Sequence, residues 1–188
     1  LALCNFGANV NLSNAQGQTW LHVAAEMGSP PLVDLILSYR ADLNAMDENG
    51  WTPLHTAVIY NVSLSIPQIF LDRGANPCAT DLHGMTAMHV FWREGRHLRK
   101  DGGREIVQFL QSRGVPLDQP DESGCTPLLW ACRQANPSLV QTFCSLGAHI
   151  EIRDKLGRTA LHYACMGWDR AVGRRVGAAG PSPFCKAL

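Results

Sequence analysis

Gly50-Trp51-Thr52-Pro53-Leu54-His55 is one of five copies of a single short block. The others are Gly17-Gln18-Thr19-Trp20-Leu21-His22, Gly84-Met85-Thr86-Ala87-Met88-His89, Gly124-Cys125-Thr126-Pro127-Leu128-Leu129 and Gly157-Arg158-Thr159-Ala160-Leu161-His162. Their glycines are 33, 34, 40 and 33 residues apart. A second series keeps the same intervals: Gly7-Ala8-Asn9, Arg40-Ala41-Asp42, Gly74-Ala75-Asn76, Gly114-Val115-Pro116 and Gly147-Ala148-His149. Two landmarks in one rhythm define a repeat, and a period of this length signals stacked supersecondary units.

Within one unit the local chemistry is readable. The threonine of each block is a helix N-cap, and Pro53 and Pro127 then occupy the first helical position, where a missing N–H costs nothing. Leu21 to Ala25 makes a short first helix with a small-residue face. A turn follows at Gly28, Asn61, Gly95 or Ala135. A second helix then shows apolar spacing of three and four, as in Leu32, Val33, Leu35, Ile36 and Leu37, or Ile106, Val107, Phe109 and Leu110. Gly7, Gly74, Gly114 and Gly147 end these helices as left-handed caps. Asp47-Glu48-Asn49-Gly50 and Asp121-Glu122-Ser123-Gly124 read as tight turns projecting between units. No unit hides its apolar face alone, so stacking is obligatory.

At these residues the sequence resembles the ankyrin repeat family, whose hallmarks are the Gly-x-Thr-Pro-Leu-His-x-Ala and Gly-Ala-Asp/Asn blocks. The resemblance covers roughly residues 1–168. It implies an all-α repeat solenoid of paired antiparallel helices, gently curved and right-handed, with short β-hairpin fingers. It also implies protein binding rather than catalysis. The expected boundaries are 1–13 for the end of a truncated preceding repeat, then repeats 14–46, 47–80, 81–120 with an inserted loop at 96–102, and 121–153. A partial repeat at 154–168 follows, then a tail at 169–188 expected to be disordered.

Some positions depart from the pattern. Arg40 stands where a glycine is expected and must tolerate a strained cap or a different turn. Leu129 replaces the histidine and removes a side-chain hydrogen bond. Beyond Trp168 the apolar spacing vanishes among glycines, arginines and prolines, which cannot build a packed second helix.

Composition excludes several classes. Sixteen Lys plus Arg balance sixteen Asp plus Glu, and 46% of residues are hydrophobic against 17% charged. That is a globular chain without the charge excess of a disordered or nucleic-acid-coating protein. The apolar runs are too short to insert in a membrane. Leu1 opens the chain without a signal peptide, so a continuation before it is expected. Seven scattered cysteines without a Cys-x-x-Cys pair fit a reduced, intracellular chain, cytoplasmic or nuclear, and outweigh the sequons at Asn11 and Asn61.

No catalytic motif, phosphate loop or metal-ligand spacing is present, so no enzyme, cofactor or metal is expected. His22, His55, His89 and His162 recur in one register, and the family uses this imidazole for structural hydrogen bonds. Cys125, near a finger tip, is the one candidate reactive thiol.

Binding surface is the lead that remains. The register places Met27, Tyr39, Met46, Trp51, Ile59 and Tyr60 on the inner side of the first two complete repeats, rimmed by Glu26, Asp47 and Glu48. Aromatic and methionine anchors within a polar rim have the composition of an interaction hot spot. Trp20, Trp92 and Trp130 fall inside helix-forming blocks and read as packing. Charge is segregated: residues 1–80 hold two basic and six acidic side chains, residues 81–188 fourteen and ten. Arg93, Arg113 and Arg133 are the basic candidates for contacting a partner, and Arg153, Lys155 and Arg158 could extend the basic stripe. The expectation is a monomeric, non-catalytic protein–protein interaction module binding no nucleic acid. The alternative is a regulatory arm of a larger enzyme or channel.

Overall fold

Each Gly-x-Thr block opens a helix in the computed structural model, which describes residues 7–60, 63–90 and 103–172, with side chains through Met166. The threonine backbone is extended, with ψ of 169° at Thr19 and 165° at Thr126, and the chain turns helical at the next residue. Among the described residues the helices are α1 (Trp20–Glu26), α2 (Pro30–Ser38), α3 (Pro53–Tyr60), α4 (Ser65–Asp72), α5 (Ala87–Val90), α6 (Arg104–Ser112), α7 (Pro127–Arg133), α8 (Pro137–Ser145) and α9 (Ala160–Val172). They form two compact units, Leu1–His97 with Arg113–Val115, and Leu98–Ser112 with Pro116–Leu188.

In the first unit α1 packs on α3 and α3 on α5, while α2 packs on α4. The first helices thus make one layer and the second helices another. The core between them is apolar: Leu21, Ala24, Val33, Ile36, Leu54, Ala57, Ile66, Phe70 and Met88 are buried. In the second unit α7 packs against α8 and α9, and α6 against α8, around Ile106, Leu110, Leu128, Leu139 and Phe143.

The fingers between helix pairs are narrower than the hairpins the resemblance implies. Among the described residues no strand forms, and the antiparallel bridges Ser13–Thr19 and Thr80–Thr86 stand isolated. Each finger is closed by two backbone bonds of 2.9–3.0 Å, from the N–H of its Asx residue to the carbonyl four ahead and from its glycine N–H back to the Asx carbonyl, and by one side chain. The Oδ1 atoms of Asn14, Asp47, Asp81, Asp121 and Asp154 each accept two backbone N–H groups, two and four residues ahead, at 2.8–3.0 Å. This carboxylate or amide adds to the backbone bonds in a turn too short to hold a strand ladder.

Arg40 takes the strained option: its φ is +61°, a left-handed conformation that glycine would adopt freely. Ala135 does the same at +53°. Leu129 lacks an imidazole, and its N–H bonds the Thr126 hydroxyl at 3.4 Å. Helix α9 runs past the boundary expected at Trp168, to Val172. The inserted loop at 96–102 and residues 173–188 of the expected tail lie outside the described residues, as do Trp92 and Arg93.

Candidate partner-binding surface

The buried histidines stitch the first-helix layer to the fingers. The Thr19 N–H donates to His22 Nδ1 at 3.1 Å, so the ring proton sits on Nε2, which donates to the Trp51 carbonyl at 2.8 Å. His55 repeats the arrangement, accepting from the Thr52 N–H at 3.1 Å and donating to the Met85 carbonyl at 3.2 Å. His89 and His162 accept from Thr86 and Thr159 in the same way. Burial lowers the pKa of His22 and His55, against the raising effect of their carbonyl partners and nearby aspartates, and keeps both rings neutral. Each ring locks the following finger in place, so the recurring histidine is a structural group.

That scaffold sorts the candidate contact residues. Met27 caps α1 and is 67% exposed, and Met46, just before the Asp47 finger, is 57% exposed. Glu48 is exposed on the same finger. Trp51 and Tyr60 are half-buried, and the Trp51 indole N–H lies 3.4 Å from Asp81 Oδ2. Three placements are corrected. Ile59 is 4% exposed and belongs to the core, because α3 is covered on nearly every side. Tyr39 caps α2, in the second-helix layer. Asp47 is buried, its carboxylate engaged by its own finger.

Trp20, expected to pack, is 60% exposed. It occupies the first helical position, where Pro53 and Pro127 are buried in other repeats. Trp130 does pack, donating from its indole N–H to Asp121 Oδ2 at 2.7 Å.

The basic candidates are tied to neighbours. Arg113 pairs with Asp72 at 2.6 Å, and the Arg133 guanidinium lies 4.7 Å from the Trp130 ring centroid. Arg158 turns inward to Asp154 Oδ2 at 2.7 Å instead of extending a basic stripe. Burial opposes ionisation of Asp154. The Arg158 backbone and guanidinium, the Tyr163 hydroxyl and the Leu156 N–H nevertheless hold its carboxyl at about 2.

Cys125 is buried, at 3.3 Å from the Tyr163 hydroxyl, and burial raises its pKa. It is a packed thiol, not a nucleophile. Cys132 is pushed up to about 12 by burial. Among the described residues no three His, Cys, Asp or Glu side chains gather as a metal site. No helix there is long and apolar enough to cross a membrane.

The sequence reading found the two fingers at Asp47 and Asp121 but missed that all five share one Asx residue. The signal was present as Asx-x-x-Gly, in Asn14-Ala15-Gln16-Gly17, Asp81-Leu82-His83-Gly84 and Asp154-Lys155-Leu156-Gly157.

Helix pairs in two layers, joined by Asx-closed fingers and cross-linked by a threonine–histidine pair in every described repeat except the one carrying Leu129, define a helical repeat protein. The chain belongs to the ankyrin repeat family: the family model described as ankyrin repeats (3 copies) matches residues 1–81, 21–100, 61–154 and 97–172. Ankyrin repeats are protein-interaction modules. The chain is 31% identical over 155 residues to transient receptor potential cation channel subfamily A member 1 of Homo sapiens, covering 82% of this chain and 14% of that protein. It is 32% identical over 171 residues to B-cell lymphoma 3 protein homolog of Mus musculus, covering 87% and 36%. It is 30% identical over 197 residues to NF-kappa-B inhibitor delta of Mus musculus, covering 99% and 54%. The chain therefore spans little more than half of even the shortest of these three relatives.

Proposed function

We propose that this protein is a non-catalytic interaction module that holds a partner polypeptide on the first-helix ends and finger tips of its N-terminal unit. The observation that carries the reading is the exposure of Trp20, Met27 and Met46 on that layer, beside the acidic Glu26 and Glu48. Large apolar side chains held in water by a rigid frame favour an apolar partner segment, and the acidic neighbours favour one with basic flanks. Trp51 and Tyr60 extend the surface from half-buried positions. Arg93, Arg113 and Arg133 remain part of the proposal as a separate basic contribution, for an acidic stretch of the same partner. Cys125 and Cys132, buried without a disulfide, favour a reducing compartment, the cytoplasm or nucleus, and the module acts as a monomer.

The test is affinity capture with the whole chain, scored by one partner polypeptide. The Met27→Asp/Met46→Asp pair is expected to lose that polypeptide while its thermal midpoint stays at the wild-type value, since both side chains already face water. Leu35→Asp, at an exposed position on the second-helix layer, is the control that keeps binding. Equal recovery from all three proteins overturns the reading.

A second reading is a regulatory arm of a larger protein. It is favoured by the similarity to a cation channel of which this chain covers 14%. Deleting the region from the full-length protein and recording channel current or catalytic rate tests it.

A further inference from the structure

A serine or threonine precedes proline at Ser29-Pro30, Thr52-Pro53, Thr126-Pro127 and Ser182-Pro183. Ser182 lies outside the described residues. At the other three the proline opens a helix, α2, α3 or α7. Thr52 is 1% exposed and its hydroxyl lies 2.9 Å from His55 Nδ1. Thr126 is fully buried and its hydroxyl takes the Leu129 N–H. Both hydroxyls are enclosed and engaged.

Ser29 differs in both respects. It is half-exposed in the turn between α1 and α2, with Met27 and Gly28 exposed before it and Pro31 exposed after it. Its backbone, with φ −108° and ψ 95°, matches that of Asn136, with φ −104° and ψ 93°, which caps α8 in the same register. The Asn136 amide oxygen accepts from the Leu139 N–H at 3.2 Å. The serine hydroxyl is one bond shorter and makes no capping bond to the matching Leu32 N–H. Among the described residues neither that hydroxyl nor that N–H has a hydrogen-bond partner.

We infer that Ser29 is the phosphoacceptor of a proline-directed serine kinase that uses ATP. The Ser29 oxygen attacks the γ-phosphorus, the bond from that phosphorus to ADP breaks, and the hydroxyl proton passes to the base of the kinase. A kinase pocket without an acceptor for the following residue's N–H takes Pro30, which has none. The product phosphate falls at the positive end of α2, whose first turn carries no acidic side chain, and its oxygens can take the Leu32 N–H left unused by serine. Ser29 also lies two residues from Met27. On the partner-binding reading above, the added charge joins Glu26 in the acidic rim and strengthens the hold on a basic-flanked segment.

The test incubates the whole chain with magnesium, ATP and a purified cyclin-dependent or mitogen-activated protein kinase, and follows each site by peptide mass spectrometry. No partner is present, so the result is independent of the binding surface. Ser29 is expected to be phosphorylated at least about a hundredfold faster than Thr52 or Thr126, which react only after the core opens. Pro30→Ala slows the reaction at Ser29 by at least about tenfold, and Ser29→Ala removes that phosphopeptide while leaving any from Ser182. The thermal midpoint of the Ser29-phosphorylated chain does not fall below that of the unmodified chain. Gly50→Ala, whose Cβ would sit 2.6 Å from the Leu82 nitrogen, loosens the unit and reports on access through unfolding. It leaves the Ser29 rate within about twofold of wild type. Absence of phosphate on Ser29, a rate no greater than that of Thr52, or a rate that Gly50→Ala raises by about tenfold or more overturns the inference.

Discussion

Replacing Gly50 with alanine tests the repeat junction most directly, because Gly74 supplies a control in the same unit. Both glycines have left-handed backbones, with φ of +77° and +93°. Alanine at either position adopts a conformation disfavoured by about 1–2 kcal/mol, offset by about 0.4–1 kcal/mol from a less flexible unfolded chain. Gly74→Ala adds nothing more, because no atom lies within 4 Å of the new Cβ. Gly50→Ala places its Cβ 2.6 Å from the Leu82 nitrogen and 3.1 Å from the Asp81 carbonyl carbon, both backbone atoms. The fingers must separate, which strains the Leu82 N–H to Asn49 bond at 3.1 Å and the His55 bond to Met85 at 3.2 Å. Overpacking costs roughly 1–3 kcal/mol and a weakened hydrogen bond about 1 kcal/mol. The expected losses are therefore about 1 kcal/mol for Gly74→Ala and about 3–4 kcal/mol for Gly50→Ala. In a chain of this length that is roughly 3 °C against roughly 10 °C in thermal midpoint. Differential scanning calorimetry and urea titration at matched pH read both. Equal losses for the two variants would mean that the fingers do not approach closely, and the junction described here would be wrong.

Other perturbations address separate features. His55 has a lowered folded-state pKa, so the unfolded chain binds more protons below about pH 6.5. Its contribution is complete above that pH and is lost as pH falls towards the folded value, by at most about 1.4 kcal/mol between pH 7.5 and 5.5; a urea midpoint that His55→Gln leaves equally pH-dependent would count against it. Arg40→Gly relieves a left-handed backbone and is expected to raise stability by about 0.5–1 kcal/mol, read from the same urea titration, whereas Arg73→Gly, where φ is −90°, gains nothing. At pH 7.5 iodoacetamide should modify exposed Cys78 and Cys165 at least about a hundredfold faster than buried Cys132, whose thiolate is suppressed. Peptide mass spectrometry measures the ratio, and comparable rates would mean that the core around α7 and α8 opens readily.

The repeat was legible because its signals are local. Gly50 and Thr52 specify a turn and a helix start from their own backbone chemistry, and the apolar spacing from Leu32 to Leu37 marks a helix without reference to any neighbour. Side-chain destination depends on what the next repeat places alongside, and register alone does not carry that. Ile59 and Glu26 share one register position, as the last residue or the last but one of a first helix, yet Ile59 is core and Glu26 is in water. Trp20 and Pro53 share another, and there the larger side chain is the exposed one. Arg158 looks like a surface cation until Asp154 and Tyr163 close around it.

The same contrast limits the surface proposed for partner binding in the N-terminal unit. A finger closed by two backbone bonds and one Asx carboxylate needs few side chains for its own stability, and Asp47, Gly50 and Thr52 are buried. The positions between them, Met46 and Glu48, are left unconstrained by folding and are exposed. Trp51 falls on the boundary: its carbonyl accepts from His22 and its indole reaches Asp81, while part of the ring stays in water. Trp51→Ala therefore disturbs the junction as well as any bound partner and cannot separate the two roles. Met27 and Met46 take no part in those junction hydrogen bonds, so a loss of binding on changing them, with the midpoint unmoved, reports recognition alone.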